Sequence, residues 1–79
     1  MWLSVKEVQA TDDHKLILTF ENSEKRCLDM RPFFGFGRFV ELEDISEFKK
    51  VRVAFDTVEW ENGLDLDPEF LYEKSVKMN

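Results

Sequence analysis

Cys27 and His14 are the only cysteine and the only histidine in the sequence, and together they could serve as a nucleophile and its general base. They lie on neighbouring predicted strands of one hairpin, so their side chains could approach each other. The sequence offers no evident third group to orient the histidine and no oxyanion-binding loop. A cysteine on a strand is more often a small packed side chain. We therefore expect a non-enzymatic protein without catalytic residues.

Two acidic clusters are the candidates for a metal site. Asp12 and Asp13 precede His14, and Asp65 is separated from Asp67 by one residue. A metal site needs three or four converging ligands, and a single histidine and a single cysteine do not supply a familiar transition-metal set. The second cluster also lacks the further ligands of a calcium loop. These residues are typical of turns and helix caps, so we predict neither a metal nor another cofactor.

An aromatic segment interrupted by glycines is the first candidate for a partner surface. Phe34 and Phe36 flank a glycine close to Arg38, and aromatic residues and arginine are enriched in binding hot spots. The alternative is that these phenylalanines plug the open side of the sheet. Carboxylates dominate the second half of the chain, and we include Glu59 and Glu61 in the same candidate surface.

The net charge of −6 over 79 residues bears on the kind of partner. Nucleic-acid binding depends on Lys and Arg at phosphates, and anionic membranes attract basic segments, so we expect neither partner. An acidic surface suits a basic protein. One cysteine cannot form an internal disulfide, and no apolar run has the length of a signal peptide, so we expect a cytoplasmic protein.

Alternating apolar residues and turn residues predict the elements that position these side chains. Strands are expected over 3–10, 15–21, 24–31, 51–55 and 57–60, with a bulge near Lys6 and Glu7 in the first. A tight turn is expected at Asn22 and Ser23, and a packed turn or single helical turn over 33–39. A short helix over 44–50 is capped by Asp44, and a terminal helix runs from Pro68 to Val76.

This order, β-β-β-turn-α-β-β-α, predicts one α+β domain over residues 1–79. Its small, mostly antiparallel sheet would consist of two hairpin units covered by the C-terminal helix. Two aromatic residues, Trp60 and Tyr72, are expected in structural positions, the first in the core and the second on the sheet. Gly63 is expected to have a positive φ.

Several residues in this order resemble a known family. They are Val5 and Val8, the stretch 16–20 (LILTF), Asp29, Leu42, Asp44, Phe48 and the stretch 58–72 (VEWENGLDLDPEFLY). The sequence resembles the bacterial domain of unknown function 2442 over nearly its whole length. The most specific part of the resemblance is the signature Trp60, Asn62, Gly63, Pro68, Leu71 and Tyr72. At the first hairpin, where the family often has Asn-Gly or Asp-Gly, this chain has Asn22-Ser23.

The resemblance implies a compact antiparallel domain that occurs alone or ahead of a helix-turn-helix module. Stand-alone members resemble partners of another small protein, as in toxin–antitoxin pairs. No catalytic residues are established for the family, so none are transferred. We predict a protein-interaction module, in its specific form the acidic neutralising partner of a small basic toxin-like protein. The alternative is a small-molecule or regulatory sensing domain, and an open edge strand would allow a homodimer.

Overall fold

The computed structural model describes residues 3–78. Met1, Trp2 and Asn79, at the ends of the predicted domain, lie outside the described residues. A four-stranded antiparallel sheet contains, in spatial order, β1 (Val5–Ala10), β2 (Lys15–Phe20), β3 (Lys25–Asp29) and β7 (Val76–Lys77). A three-stranded antiparallel sheet contains β4 (Arg52–Ala54), β5 (Thr57–Glu59) and β6 (Asp65–Leu66).

Short helices connect and cover the sheets. Two 3-10 helices span Arg31–Phe33 and Gly37–Glu43, and they are followed by α1 (Ile45–Phe48) and later by α2 (Pro68–Lys74). The predicted α+β class and the antiparallel pairing are confirmed, and the strands divide between two sheets. The short strands β6 and β7 were not predicted. Helix α2 ends at Lys74, earlier than expected, because Ser75 is extended and Val76 pairs with Cys27.

The irregular apolar pattern of β1 is explained by a β-bulge, as predicted. The pairing between β1 and β2 shifts between Val5 and Glu7. The extra residue reverses the alternation of side chains between the two faces of the sheet. Val5, before the bulge, and Val8, after it, therefore both point towards the core, where Val5 is buried and Val8 packs against it. The central strand β2 is regular, and its residues Leu16, Leu18 and Phe20 are fully buried.

Three hairpin loops share one geometry. In the loop after β2, the amide of Ser23 donates to the carbonyl of Phe20, and Phe20 pairs with Glu24. The expected turn at Asn22 and Ser23 is therefore a three-residue loop, which ends in a residue with a φ of +71°. The loops after β1 and β5 have the same hydrogen bonds and end at His14 and Gly63, with φ of +64° and +91°.

The core lies between the two sheets and is dominated by Trp60. Its side chain is 1% exposed and touches the ring of Phe48, with the two centroids 6.1 Å apart. Its indole Nε1 donates a hydrogen bond to the carbonyl oxygen of Phe48 over 2.9 Å. Helix α2 closes the other end of the core, where Leu71 is buried and the ring of Tyr72 packs edge-on against Phe20.

Phe55 is a correction to the predicted fourth strand. The alternation of Val51, Val53 and Phe55 predicted that all three share one apolar face. The strand ends at Ala54, and Phe55 and Asp56 form a two-residue turn with φ of +52° and +70°. Phe55 is consequently 93% exposed. The carbonyl of Asp56 accepts a hydrogen bond from the amide of Val5 over 2.9 Å and ties this turn to β1.

We predict that Phe55→Asn stabilises the fold. A left-handed backbone is strained for a bulky residue and tolerated by asparagine, so the free energy of unfolding should rise by about 1 kcal/mol. Phe36→Asn is the matched control, since Phe36 is also an exposed phenylalanine but has a φ of −106° with no such strain to relieve. Urea unfolding measures both variants. A gain in Phe36→Asn, or none in Phe55→Asn, would contradict the assignment of strain.

Candidate functional site

An apolar groove opens between the 3-10 helices and the β6–α2 segment. It has a volume of about 320 Å³ and is lined by Phe33, Phe36, Phe39, Leu66 and Phe70. Phe33 and Phe70 hold opposite walls together through an edge-to-face contact, with ring centroids 5.3 Å apart. Phe36 is 66% exposed, so the groove presents aromatic surface directly to solvent.

One wall of the groove alternates apolar and acidic residues. Leu66 and Phe70 line the groove, and the exposed residues Asp65, Asp67 and Glu69 lie between and beside them. Within residues 3–78 none of these three carboxylates has an ion pair within 4.0 Å. Asp67 accepts a hydrogen bond from the amide of Glu69 over 2.8 Å and caps α2. Asp65 pairs with Glu59 across β5 and β6 and therefore shares its face, whereas Asp67 and Glu69 are exposed at the start of α2, between the groove residues Leu66 and Phe70 in the sequence.

The predicted partner surface is only partly assembled around the groove. Phe36 belongs to the groove, as an exposed aromatic contact should. Phe34 does not, and its assignment to the surface is wrong. It is 7% exposed and packs edge-on against His14 and Phe48, with centroid distances of 5.3 and 6.3 Å. The single helical turn over Arg31–Phe33 directs Phe34 inward, which the aromatic composition alone did not reveal.

Arg38 lies beside the groove and is joined to the signature residue Asn62. Its Nε pairs with Glu41 over 3.0 Å, and its Nη2 donates to the carbonyl of Asn62 over 2.9 Å. The side-chain nitrogen Nδ2 of Asn62 donates to the carboxylate of Glu41 over 3.0 Å. The side-chain oxygen Oδ1 of Asn62 accepts from the backbone amide of Leu64. The hydrogen bond from Arg38 is the main reason that the pKa of Glu41 is lowered. This network fixes the β5–β6 loop to the second 3-10 helix.

Glu59 and Glu61, the acidic members of the predicted surface, do not line the groove. Glu59 pairs with Arg52 on the adjacent strand over 2.8 Å. The carboxylate of Glu61 lies 3.9 Å from Lys50. Both charges are therefore partly compensated by neighbouring cations. The carboxylates of the β6–α2 segment have no such pair in the described residues, and sequence reasoning considered Asp65 and Asp67 only as a candidate metal cluster.

The signature residues occupy the structural positions expected of them. Trp60 and Leu71 are buried in the core, and Pro68 opens α2. Gly63 has its positive φ at the end of the β5–β6 loop. Their positions bring the β5–β6 hairpin and α2 together, and these two elements carry one wall of the groove.

Tyr72 joins α2 to β3 through a compact polar cluster. Its hydroxyl donates to the carboxylate of Glu24, and the guanidinium of Arg26 lies over its ring at 4.1 Å from the centroid. Arg26 also pairs with Glu24 over 3.1 Å and donates to Ser75 over 2.8 Å. The hydrogen bond from Tyr72 lowers the pKa of Glu24, and the same bond raises the pKa of Tyr72.

The candidate nucleophile and base do not come together. The imidazole of His14 contacts the rings of Phe34 and Phe48 and makes a 2.9 Å hydrogen bond from Nε2 to the carbonyl oxygen of Glu43. Cys27 pairs with Ile17 and alternates with the buried Leu28, so it lies on the opposite face of the sheet. In the described part of the chain, no three His, Cys, Asp or Glu side chains converge as a metal site. None of the helices within residues 3–78 is long and apolar enough to cross a membrane.

Most of the groove was missed by sequence reasoning. The sequence places Phe33 and Phe39 in one packed turn, where Phe39 lies near the candidate contact Phe36, and it places Phe70 in the terminal helix with no link to that turn. A signal for the acidic wall was present in the stretch 65–70 (DLDPEF), where apolar residues are interleaved with carboxylates. Nothing in the sequence indicated that this stretch lies opposite Phe33, because that proximity depends on how α2 packs.

Together, the two antiparallel sheets and the short helices define a small α+β domain with an apolar groove on its surface. The family model described as "Protein of unknown function (DUF2442)" matches residues 5–77, and the chain belongs to this family. No curated protein and no solved structure matches the chain.

We predict that the Glu24–Tyr72 contact stabilises the fold in a defined pH window. The pKa of Glu24 is lowered from 4.5, so its contribution is present above that value and is lost as the pH falls through the folded pKa. The pKa of Tyr72 is raised from 10.0, so its contribution is present below that value and is lost as the pH rises through the folded pKa. Glu24→Gln should therefore be less stable than the native chain between these limits.

The stability difference is measured by urea unfolding at several pH values. It should shrink as the pH falls from about 7 to about 3, because the native carboxylate also loses its charge there. Glu21→Gln, on the same hairpin, is the matched control, since its side chain is exposed. A difference for Glu24→Gln that persists unchanged at the acidic end would contradict the proposed contribution.

Proposed function

We propose that this chain is a non-enzymatic protein-interaction module whose groove binds a small basic protein. The observation that carries the proposal is an open aromatic groove whose lining residues Leu66 and Phe70 have exposed acidic neighbours in the sequence. In its specific form, the protein would be the acidic neutralising partner of a toxin-like protein. We propose further that it acts in the cytoplasm and binds neither nucleic acid nor a membrane.

The aromatic lining supports a protein partner. Interface energy is concentrated in a few large side chains that enter desolvated pockets, and the groove offers such a pocket among Phe33, Phe36, Phe39, Leu66 and Phe70. Its walls are already in contact through Phe33 and Phe70. A preformed groove of this kind reduces the entropy that binding must remove.

The charge supports a basic partner. Asp67 and Glu69 are exposed at the start of α2, between the groove residues Leu66 and Phe70 in the sequence, and the whole chain carries a charge of −6. Opposite charges at the rim of an interface increase the association rate and favour one class of partner over others. The expected contact is an apolar side chain in the groove, with Lys or Arg side chains of the partner at the acidic wall. Such a complex should weaken with added salt.

The alternative function is a small-molecule or regulatory sensing domain. The groove volume of about 320 Å³ falls at the low end of ligand pockets, which span roughly 300–1,000 Å³. Such pockets use a few polar groups to orient the ligand. All five residues that line this groove have apolar side chains, which favours a side chain of a protein over a polar metabolite. An apolar metabolite would fit the alternative.

The test is an affinity capture from the lysate of the native host with matched variants, read by mass spectrometry. The native chain should retain one small basic protein in equal amount, and less of it at higher salt. Phe36→Ser should lose it. Phe55→Ser is the control, because it removes an even more exposed phenylalanine that lies outside the groove. With the purified partner, the loss of an aromatic hot spot of about 2 kcal/mol corresponds to roughly a 30-fold higher Kd.

The outcomes separate the hypotheses. Retention by Phe36→Ser with loss by Phe55→Ser would move the partner surface away from the groove. Capture of no protein by any variant would overturn the interaction function. A rise in melting temperature with an apolar metabolite would then support the sensing alternative, and Phe36→Ser should abolish that rise.

A further inference from the structure

The outer face of the four-stranded sheet carries an apolar row with charges on both sides. Gln9, Ile17, Cys27 and Val76 lie directly opposite one another across the four strands. Ile17 and Cys27 are half-buried, and Val76 is 71% exposed. On this face an aliphatic side chain therefore lies at the centre of the sheet and another at its edge.

Two charges on this face are symmetrically placed. Glu7 on β1 and Lys25 on β3 both lie opposite Thr19 on the central strand β2. Adjacent strands are about 4.8 Å apart, so the backbones of these residues are separated by roughly 10 Å across Thr19. Neither has an ion pair within 4.0 Å in residues 3–78.

The remaining charges of the face are already compensated. Lys15 lies 3.4 Å from Asp13, and Asp29 lies 2.7 Å from Arg31. The face itself presents two carboxylates, Glu7 and Asp29, and two ammonium groups, Lys15 and Lys25, and Lys74 of α2 lies at its edge beside Cys27 and Val76. The face therefore carries no excess of negative charge, whereas the whole chain carries −6. A second copy of the chain would therefore meet less repulsion here than at the acidic surface of the second half.

We propose that this face binds a second copy of the chain about a twofold axis that runs along β2. That axis exchanges β1 with β3, so Glu7 of each copy faces Lys25 of the other, and the two Ile17 side chains meet on the axis. A shallow depression of about 300 Å³ occupies this position, and its lining includes Glu7, Ile17, Thr19 and Lys25. Two symmetric ion pairs thus lie on either side of the Ile17 contact. The two Lys15 side chains also lie along the axis, and each is paired with Asp13 of its own chain.

The area that the face can bury indicates how strongly the two copies associate. Only β1, β2 and β3 face strands of the other copy, and three strands at about 4.8 Å with six residues at about 3.3 Å give a footprint of roughly 300 Å² per copy. Stable interfaces bury about 800 Å² per partner. The dimer is therefore weak and depends on concentration. It uses residues that are distinct from those of the groove, so its existence does not depend on the proposed function.

The test is sedimentation equilibrium from about 10 μM to about 1 mM, a range that suits a weak interface, with a reductant present to keep Cys27 as a thiol. The native chain should shift from monomer to dimer within this range. Glu7→Lys and Lys25→Glu should each raise the dimer dissociation constant at least about tenfold, because each places like charges opposite each other. The double variant E7K/K25E restores the pairs with reversed polarity, so its dissociation constant should return to near the native value.

Glu21→Lys controls for net charge. It changes the charge by the same amount as Glu7→Lys at an exposed position of the β2–β3 loop, and it should leave the dissociation constant nearly unchanged. A native chain that stays monomeric throughout would overturn the proposal. So would a double variant as weak as the single ones, because the proposed ion pairs would then not exist.

Discussion

The hydrogen bond from the indole of Trp60 to the carbonyl of Phe48 fixes how the smaller sheet packs on the rest of the domain. An indole N–H buried without an acceptor would be costly, so the end of α1 must lie where its carbonyl can receive that bond. Helix α1 has only four residues and is too short to be stable alone. Its position therefore follows from packing, and the rings of Phe48 and Phe39 against the indole complete that packing.

The groove depends on the same contact. Phe39 packs edge-on against Trp60 with ring centroids 6.5 Å apart, and it also lines the groove. Trp60 begins the loop that leads to β6, where Leu66 forms part of the acidic wall. Both walls of the groove are thus connected to one buried side chain. The core that stabilises this small domain also determines the shape of its candidate binding surface.

The parts of the fold that depend on local chemistry were predictable from the sequence. The regular strand β2, the bulge in β1, the cap at Asp44 and the start of α2 at Pro68 all follow from neighbouring residues. The two-residue strands β6 and β7 were not predictable, because each exists only where a distant partner strand offers hydrogen bonds. Periodicity gives no signal over two residues.

The candidate site shows the same limit. Phe36 was identified by its aromatic and glycine-rich surroundings, whereas Phe34, two residues away, has the same type of side chain and is buried. Composition does not distinguish them, since the difference arises from the direction in which one 3-10 turn places each side chain. The opposite wall, with Leu66 and Phe70, is brought close by α2. Predicting it would have required the packing of that helix.

The phenylalanines are divided between core and surface, which explains how so small a domain keeps a stable core and still exposes an aromatic groove. Phe20 and Phe48 are fully buried and Phe34 nearly so, and together with Trp60 they fill much of the core. Phe33 and Phe70 are held in contact at the edge of that core, which limits the freedom they would lose on binding. Phe36 is the least covered aromatic of the groove. Phe36 contributes little to the core, so its substitution should change binding without changing stability. Substitutions at Trp60 or Phe39 would change both, because these side chains pack against each other in and beside the core.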